Sequence, residues 1–388
     1  MSARGKPLGS HLAALDGVRG LAIVMVLFVH FVGDLGPESA LERLLVKASN
    51  YGLWGVDLFF VLSGFLITGI LWDSKGDPRF FRNFYVRRTL RIFPLYYAVL
   101  TVLFGVLPLL PAIYPPDLAD SARHQSWVWA YATNFYVALK EDWALPYVSH
   151  FWSLAVEEHF YLAWPWVVLV CSRTALLRVC SAAIVFSLCL RWGMALAGAG
   201  PIALQTVTPC RLDALCTGGL LAVAARPDGL DRMSRAARPV LVASGAGILL
   251  LSLWHATTGT LDVVTLPARP TLFAFFFGAL IVLAITLDAR APLARFFRSR
   301  VMRFFGKYSY GLYVFHGIIA YGLQVKQHDA QWLSARLGSH LAAMGVQAVL
   351  GAAVSLLVAI LSYELFEKHL LRLKDRFAAP GRAAAQPG

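Results

Sequence analysis

The strongest constraint on this sequence is a series of apolar stretches separated by polar segments. Each stretch has about the twenty residues that an α-helix needs to cross a bilayer. Long unbroken apolar runs favour helices over a membrane β-barrel, in which apolar and polar residues alternate. We therefore predict an all-α, polytopic bundle of about ten transmembrane helices. The predicted spans are 13–33, 52–72, 92–112, 152–171, 175–196, 209–225, 239–256, 271–288, 308–325 and 341–364.

Composition and charge agree with a membrane protein. The chain has 388 residues, of which 58% are hydrophobic and only 15% are charged, whereas soluble domains carry about 25% charged residues. The net charge is +13, and most Lys and Arg residues fall in alternate loops. This asymmetry predicts cytoplasmic termini in a bacterial cytoplasmic (inner) membrane, with the lipid bilayer rather than nucleic acid as the partner. The five cysteines show no zinc-site spacing, so we expect no metal.

The segments outside the apolar stretches give the expected domain organisation. We assign residues 1–372 to one transmembrane domain and 373–388 to a cytoplasmic tail that we expect to be disordered. The first apolar stretch has no signal-peptidase site after it and is expected to be retained. A long segment on the outer side, 113–151, contains an apolar stretch at 126–139 that we expect to form a re-entrant or interfacial helix.

The first apolar stretch carries two ionisable residues, Arg19 and His30. They are eleven positions apart, which places them on one helix face with about 16 Å between them along the axis. Ionisable groups in lipid are costly and are by default functional. His30 is suited to take and return a proton near neutral pH. In the structural alternative, His30 is only hydrogen-bonded inside the bundle, and Arg19 extends to the surface or pairs with Asp16.

Two adjacent carboxyl groups, Glu157 and Glu158, lie inside the fourth predicted span. Their side chains point about 100° apart, so at most one of them need face the bundle interior. Glu157 follows Ser153 by four residues and shares its face. Because His30 and one of these carboxyl groups can share a depth in the membrane, they are candidates for a general base and its orienting group.

An arginine pair, Arg88 and Arg91, precedes the third predicted span. The two residues are three apart on one helix face, an arrangement that suits binding of phosphate by guanidinium groups. The alternative is positive-inside anchoring, which we prefer for Lys75 and Arg79. In the second span we interpret Ser63 and Gly64 as small residues that allow close helix packing.

The remaining intramembrane polar residues have less specific signals. Arg211 and Asp213 either contact substrate or neutralise partners in neighbouring helices. His316 has the same two interpretations as His30. Together with Ser153 and Asp57, we take these three residues as candidate substrate-binding residues.

Seven sequence motifs occur in order along the chain and resemble those of the acyltransferase 3 family of integral membrane O-acyltransferases. The resemblance runs from about residue 11 to residue 372, and it is the order of the motifs rather than any single one that makes it specific. The motifs are LDGVRGLAIVMVLFVH, FFVLSGFLIT, RRTLRIFPLYY, FWSLAVEEHFYL, RLDALCTGGLLA, SYGLYVFH and SYELFEKHLLR.

The resemblance implies a ten-span core that uses cytoplasmic acyl-CoA, usually acetyl-CoA, to modify hydroxyl groups. Acceptors in the family are glycans, such as O-antigens, exopolysaccharides and peptidoglycan, or small molecules such as macrolides. The essential Arg-x10-His motif of the family falls on Arg19 and His30. The Arg-x-x-Arg element, linked to CoA binding, falls on Arg88 and Arg91. The chain departs from the family at His159, where glutamine is expected, and after Glu-Lys near its end, where proline usually follows.

These assignments combine into a hypothesis for the reaction. The nucleotide of CoA would bind at Arg88, Arg91 and Arg19, and the pantetheine arm would bring the thioester towards His30. His30 would act as general base with a glutamate orienting it, or would itself carry the acyl group. Other possibilities are a succinyl donor, or a proton-coupled transporter or glycolipid exporter. The lack of matched halves counts against a transporter.

Overall fold

The computed structural model describes residues 13–32, 36–226, 229–258, 264–325 and 328–377. Within these ranges the chain is helical and contains no strand, as the sequence predicts. The α-helices are α1 (Ala13–Val32), α2 (Ala40–Asn50), α3 (Gly55–Asp73), α4 (Phe80–Thr101), α5 (Leu118–Arg123), α6 (Gln125–Trp129), α7 (Thr133–Lys140), α8 (Trp152–Val170), α9 (Arg173–Leu196), α10 (Pro201–Thr206), α11 (Leu212–Ala224), α12 (Leu230–Thr258), α13 (Thr265–Thr286), α14 (Pro292–Arg298), α15 (Arg300–Val325), α16 (His328–Leu337), α17 (His340–Ser362) and α18 (Lys368–Leu373).

Among the described residues, 7 helical segments are long and apolar enough to cross a membrane. They contain α1, α3, α4, α9, α12, α13 and α17. The other three predicted spans form α8, α11 and α15, which are shorter or more polar. For example, α11 has only 13 residues, and α8 carries both adjacent glutamates. The count of ten spans and the side on which the termini lie therefore stay predictions.

Glycines allow the central helices to approach each other closely. A side chain at Gly64 of α3 would collide with the backbone of Leu215 in α11, and one at Gly218 of α11 would collide with the backbone of Val61. Small residues permit such backbone contact between helices in a membrane. The structure thus confirms the packing role predicted for Gly64, and it fixes α3 against α11 in the middle of the core.

The segment 113–151 differs from the prediction. Instead of one helix over 126–139, the chain forms two short helices, α6 and α7, with a break between them. Tyr131 lies in this break with a left-handed backbone, φ 53°. Its ring stacks on that of Tyr96 in α4 at a centroid distance of 4.2 Å, and the Tyr96 hydroxyl donates to the carbonyl of Val128 at 2.7 Å. Tertiary contacts with α4 therefore compensate for the costly conformation that ends α6.

Two contacts lie near the beginning of α4, the helix that carries the arginine pair. They involve Lys75, which precedes the helix, and Arg82 in its first turn. The Lys75 ammonium group donates to the carbonyl oxygens of Val168 at 3.0 Å and Cys171 at 2.5 Å, at the carboxyl end of α8. Lys75 thus caps the carboxyl end of α8, whereas the positive-inside anchoring that we preferred for it stays a prediction. In the predicted tail, Lys374–Phe377 forms a 3₁₀ turn, and residues 378–388 lie outside the described residues. The Arg82 guanidinium group lies 5.6 Å from the Phe377 ring centroid.

Candidate active site

A cavity of about 100 Å³ in the bundle is lined by part of the predicted site residues, namely Arg19, Arg88, Arg91, Ser153 and Glu157. We call it the central cavity, and its polar lining consists of Arg19, Ser63, Arg88, Arg91, Ser153, Glu157, Tyr161, Ser309, Tyr310 and Tyr313. Helical periodicity explains much of this convergence. Arg88 and Arg91 are one turn apart on α4, and Ser153 and Glu157 are one turn apart on α8, so each pair presents both side chains to the same space.

Arg19 pairs with a neighbouring carboxylate and also lines the central cavity. Its guanidinium group donates to Asp16 Oδ1 at 2.9 Å, which is the pairing considered in the sequence. It also lines the central cavity and lies within electrostatic range of Arg88 and Arg91. The described lining of the central cavity contains the guanidinium groups of Arg19, Arg88 and Arg91 but only one carboxyl group, that of Glu157, so cations outnumber carboxyl groups in this lining and suit an anionic ligand.

Arg88 and Arg91 also line a second cavity of about 120 Å³, which we call the mouth cavity. Arg87, Asp77 and Lys374 line it as well. Because the arginine pair belongs to both cavities, it forms the boundary between the end of the bundle and its interior. A ligand with a polyanionic head and a long uncharged arm would place its head in the mouth cavity and its arm in the central cavity.

The two adjacent glutamates have different surroundings. Glu157 lines the central cavity beside Ser63 and Tyr161, whose hydroxyl oxygens are 2.5 Å apart. Glu158 is absent from the described lining of that cavity, and its Oε1 is buried without a hydrogen-bond partner among the described residues. Of the two glutamates, Glu157 is therefore the one that a ligand in the central cavity would contact. Ser63, which we had interpreted only as a small packing residue, contributes a hydroxyl group to the site.

Three histidine rings form a cluster next to the central cavity. The His30 and His316 ring centroids are 4.8 Å apart, and those of His316 and His150 are 5.1 Å apart. His316 belongs to α15, and His150 precedes α8. Within the described residues, no group of His, Cys, Asp and Glu side chains has the arrangement of a metal site. The cluster is instead suited to proton transfer, because each imidazole can donate and accept.

Hydrogen bonds to backbone carbonyl groups fix the tautomer of each ring, because a carbonyl oxygen can only accept. His30 Nδ1–H donates to Val26 at 2.8 Å, and His316 Nδ1–H donates to Tyr313 at 2.7 Å. This leaves the Nε2 lone pair of both residues available. His316 Nε2 is buried and has no partner among the described residues. His150 Nε2–H donates to Val314 at 3.1 Å, which leaves its Nδ1 lone pair.

Tyr313 links the histidine cluster to the central cavity. Its ring lies 5.2 Å from that of His316, and its hydroxyl group donates to the His150 carbonyl at 3.0 Å. The same hydroxyl group accepts a hydrogen bond from Ser153. No hydrogen bond joins His30 and Glu157 in the described part of the chain. The group that orients His30 is therefore the Val26 carbonyl, rather than the glutamate side chain suggested by the sequence.

The other candidate substrate-binding residues form buried ion pairs. Arg211 pairs with Asp57, and Asp213 pairs with Arg191 at 2.7 Å, where both side chains are fully buried. The structure thus supports the alternative that Arg211 and Asp213 neutralise partners in neighbouring helices. Arg191 belongs to α9, and its side chain is fully buried.

The candidate site residues from the sequence did not include several residues of the site region: Ser63, His150, Tyr161, Arg191, Ser309, Tyr310 and Tyr313. Arg191 carried a usable signal, since a charged residue inside a predicted span requires a partner. Tyr161 and Tyr313 fall within the quoted motifs, but aromatic residues are common in helices of this kind. His150 lies at a predicted boundary, where a histidine usually faces solvent.

Comparison with known proteins places this geometry in context. The family model described as an acyltransferase domain matches residues 12–364. The peptidoglycan O-acetyltransferase OatA of Listeria monocytogenes is 27% identical over 323 residues, which cover 79% of this chain and 49% of that protein. The putative peptidoglycan O-acetyltransferase YrhL of Bacillus subtilis is 27% identical over 376 residues, which cover 92% of this chain and 54% of that protein.

A putative O-acetyltransferase of Staphylococcus aureus is 25% identical over 328 residues, covering 79% of this chain and 50% of that protein. The chain thus spans about half the length of the curated relatives it matches. No solved structure matches the chain.

Proposed function

Because this chain belongs to the acyltransferase 3 family, we propose that it is a membrane O-acetyltransferase that transfers an acetyl group from cytoplasmic acetyl-CoA to a glycan hydroxyl group. The observation that carries the proposal is the shared lining of the mouth and central cavities by Arg88 and Arg91. A cationic entrance that continues into a chamber with Ser153 and Glu157 suits a phosphate-bearing thioester. The peptidoglycan O-acetyltransferases among the relatives favour a glycan acceptor.

In this proposal the arginines bind the phosphate groups of CoA. Guanidinium groups bind phosphate oxygens through paired, charge-assisted hydrogen bonds, and each such bond is about twice as strong as a neutral one. Arg91 and Arg88 would contact the nucleotide, while Arg19 would contact the pyrophosphate or the start of the pantetheine arm. The arm would then extend along the central cavity towards Ser153.

His30 would act as the general base. Its Nδ1–H bond to Val26 keeps the Nε2 lone pair available for the acceptor hydroxyl proton. As that proton moves to His30, the hydroxyl oxygen attacks the thioester carbonyl carbon. The bond from carbon to sulfur then breaks, and the thiolate of CoA leaves with the proton that His30 returns. Thus the ester forms and the free thiol is released without any other reactant.

His316 would stabilise the charged form of His30. The ring of His316 contacts that of His30, and His316 Nε2 is buried without a hydrogen-bond partner among the described residues. When His30 gains a proton, the new N–H can donate to the lone pair of this nitrogen. Tyr313 and Ser153, which are hydrogen-bonded to each other and line the central cavity, would contact the thioester.

The proposal is tested by acetyl-CoA binding to purified protein. The double variant Arg88→Ala/Arg91→Ala is compared with Arg79→Ala, which removes an exposed arginine that precedes the same helix. We expect saturable binding by the wild type and by Arg79→Ala, and at least a tenfold weaker affinity in the double variant. Equal affinity in all three proteins would refute the phosphate assignment. Gradient-driven flux of a glycolipid without acetyl-CoA turnover would favour a transporter instead.

A further inference from the structure

A third cavity, larger than the other two, lies at the end of the bundle where α3 and α13 begin and α12 ends. Its volume is about 770 Å³. We call it the peripheral cavity, and the side chains that define it are Tyr51, Trp54, His255, Arg269 and Phe273. Ligand-binding clefts for small molecules have volumes of about 300–1,000 Å³, so this one can hold an oligosaccharide of a few sugars.

Polar groups without partners line this cavity. Arg269 Nε and His255 Nδ1 are both buried and make no hydrogen bond within the described residues. Arg211 also lines it, is 1% exposed, and has an unpartnered Nε although it pairs with Asp57. Buried polar atoms without a partner cost free energy, and a ligand that brings hydrogen-bonding groups to Arg269 and His255 would reduce this cost.

The charges around the cavity favour an anion. Lys47, Arg211 and Arg269 carry positive charge, whereas Asp57 carries the only negative charge among the described lining residues. Asp57 is already paired with Arg211, so the charge of Arg269 has no opposite partner in the described lining. A carboxylate or phosphate would neutralise it, and arginine binds both groups through paired hydrogen bonds.

Aromatic side chains in the same cavity offer a surface for a sugar ring. Trp54 stacks on Phe273 with a centroid distance of 4.0 Å and an interplanar angle of 17°, which gives a broad apolar face. The Tyr51 hydroxyl donates to Ser252 Oγ at 3.0 Å and so holds its ring at the cavity wall. An apolar face beside hydrogen-bonding groups matches a sugar ring, which has C–H faces and hydroxyl edges.

Helix α3 separates this cavity from the central cavity. Trp54, which directly precedes α3, and Asp57 of α3 line the peripheral cavity, whereas Phe60 and Ser63 of α3 line the central cavity. The Arg211 guanidinium group spans the wall, since it lies 5.5 Å from the Phe60 ring centroid. A glycan bound in the peripheral cavity therefore lies next to the proposed reaction chamber, at the end opposite the arginine mouth.

We propose that the peripheral cavity binds the acceptor and selects a glycan that carries a carboxylate or phosphate group. Arg269 and His255 bind the anionic group, and the pair of Trp54 and Phe273 packs against a sugar ring. This proposal rests on the proposed acetyltransferase function and adds the class of acceptor to it.

The test measures binding of soluble sugars to the purified full chain. Two anionic probes, trigalacturonate and the disaccharide of N-acetylglucosamine and N-acetylmuramic acid, are compared with neutral N,N′-diacetylchitobiose. The variants are Arg269→Gln, which removes the charge, Arg269→Lys, which keeps it, and Arg123→Gln as a matched control. Arg123 is an exposed arginine outside the cavity, paired with Asp120.

We expect at least one anionic probe to bind the wild type at least tenfold more tightly than the neutral sugar. Arg269→Gln should lose this preference, Arg269→Lys should keep most of it, and Arg123→Gln should keep all of it. If neither anionic probe binds better than the neutral sugar, or if Arg269→Gln binds like the wild type, the proposal is overturned.

Acetyl-CoA binding in the same preparations separates this proposal from the proposed function. A wild type that binds acetyl-CoA but no anionic sugar refutes only the acceptor site. A wild type that binds the anionic sugar but no acetyl-CoA refutes the acetyltransferase function and leaves the anionic-sugar site in place. Retained acetyl-CoA binding in Arg269→Gln shows that the variant is folded.

Discussion

The buried pair of Arg191 and Asp213 allows a quantitative test of how this bundle is held together. Both side chains are fully buried, and Arg191 Nη2 lies 2.7 Å from Asp213 Oδ2. Arg191 also donates to Thr271 Oγ1 at 2.6 Å and to the carbonyl oxygens of Pro267 at 2.8 Å and Cys210. One guanidinium group thus connects α9, α11 and α13.

Removing only the carboxylate leaves a buried guanidinium charge without its partner. Breaking such a pair typically costs about 3–5 kcal/mol, a large part of the about 5–15 kcal/mol that stabilises a folded domain. We therefore expect Asp213→Asn to lower the free energy of unfolding by about 3–5 kcal/mol. Replacing both charges together, as in Arg191→Met/Asp213→Leu, should cost less than Asp213→Asn alone, because apolar residues of similar volume often replace buried pairs without loss.

The assay is unfolding in mixed micelles, followed by circular dichroism as SDS is added. Asp120→Asn is the control, because it breaks the exposed pair with Arg123 and should change stability little. A double variant less stable than Asp213→Asn would refute the reasoning about the buried charge. A double variant that folds but turns over no acetyl-CoA would instead return Asp213 to the substrate-binding residues.

Two further predictions concern the proposed chemistry. His316→Ala should lower acetyl transfer by about a hundredfold without changing the Kd for acetyl-CoA, because it removes the lone pair beside His30 but no phosphate ligand; initial rates and equilibrium binding measure both, and an unchanged rate would exclude this role. Glu157→Gln should lower the rate more than Glu158→Gln, because only Glu157 lies in the described lining of the central cavity; the reverse order in the same rate assay would contradict the assignment of Glu157.

The sequence predicted the parts of this structure that follow from helical periodicity. Arg88 and Arg91, spaced by three, and Ser153 and Glu157, spaced by four, each share a face whatever the tertiary structure is. Their convergence with Arg19 in one cavity follows from the family resemblance, and the cavity lining agrees with it. The all-helical architecture also follows from a local signal, because the length of the apolar runs indicates membrane-spanning helices.

The sequence could not predict the contacts between distant parts of the chain. His30 and His316 are adjacent in space but far apart in the chain, and the packing of α1 against α15 brings them together. Whether Glu157 or Glu158 faces the site depends on the rotation of α8, which no spacing determines. The break at Tyr131 arises from its stacking on Tyr96, which is again a tertiary effect.

The arrangement of charges along the bundle explains how, under the proposed function, the reaction could occur although neither substrate crosses the membrane as a whole. Arg19 and His30 are separated by eleven residues of one helix, which corresponds to about 16 Å. The arginine mouth lies at the Arg19 end, whereas His150 and His316 cluster at the His30 end. A donor held by its phosphate groups at one end and reacting at the other must therefore extend its uncharged arm between them. Under the proposed function, only the acetyl group passes from one side to the other, and the charged parts of both substrates stay at the ends where cations bind them.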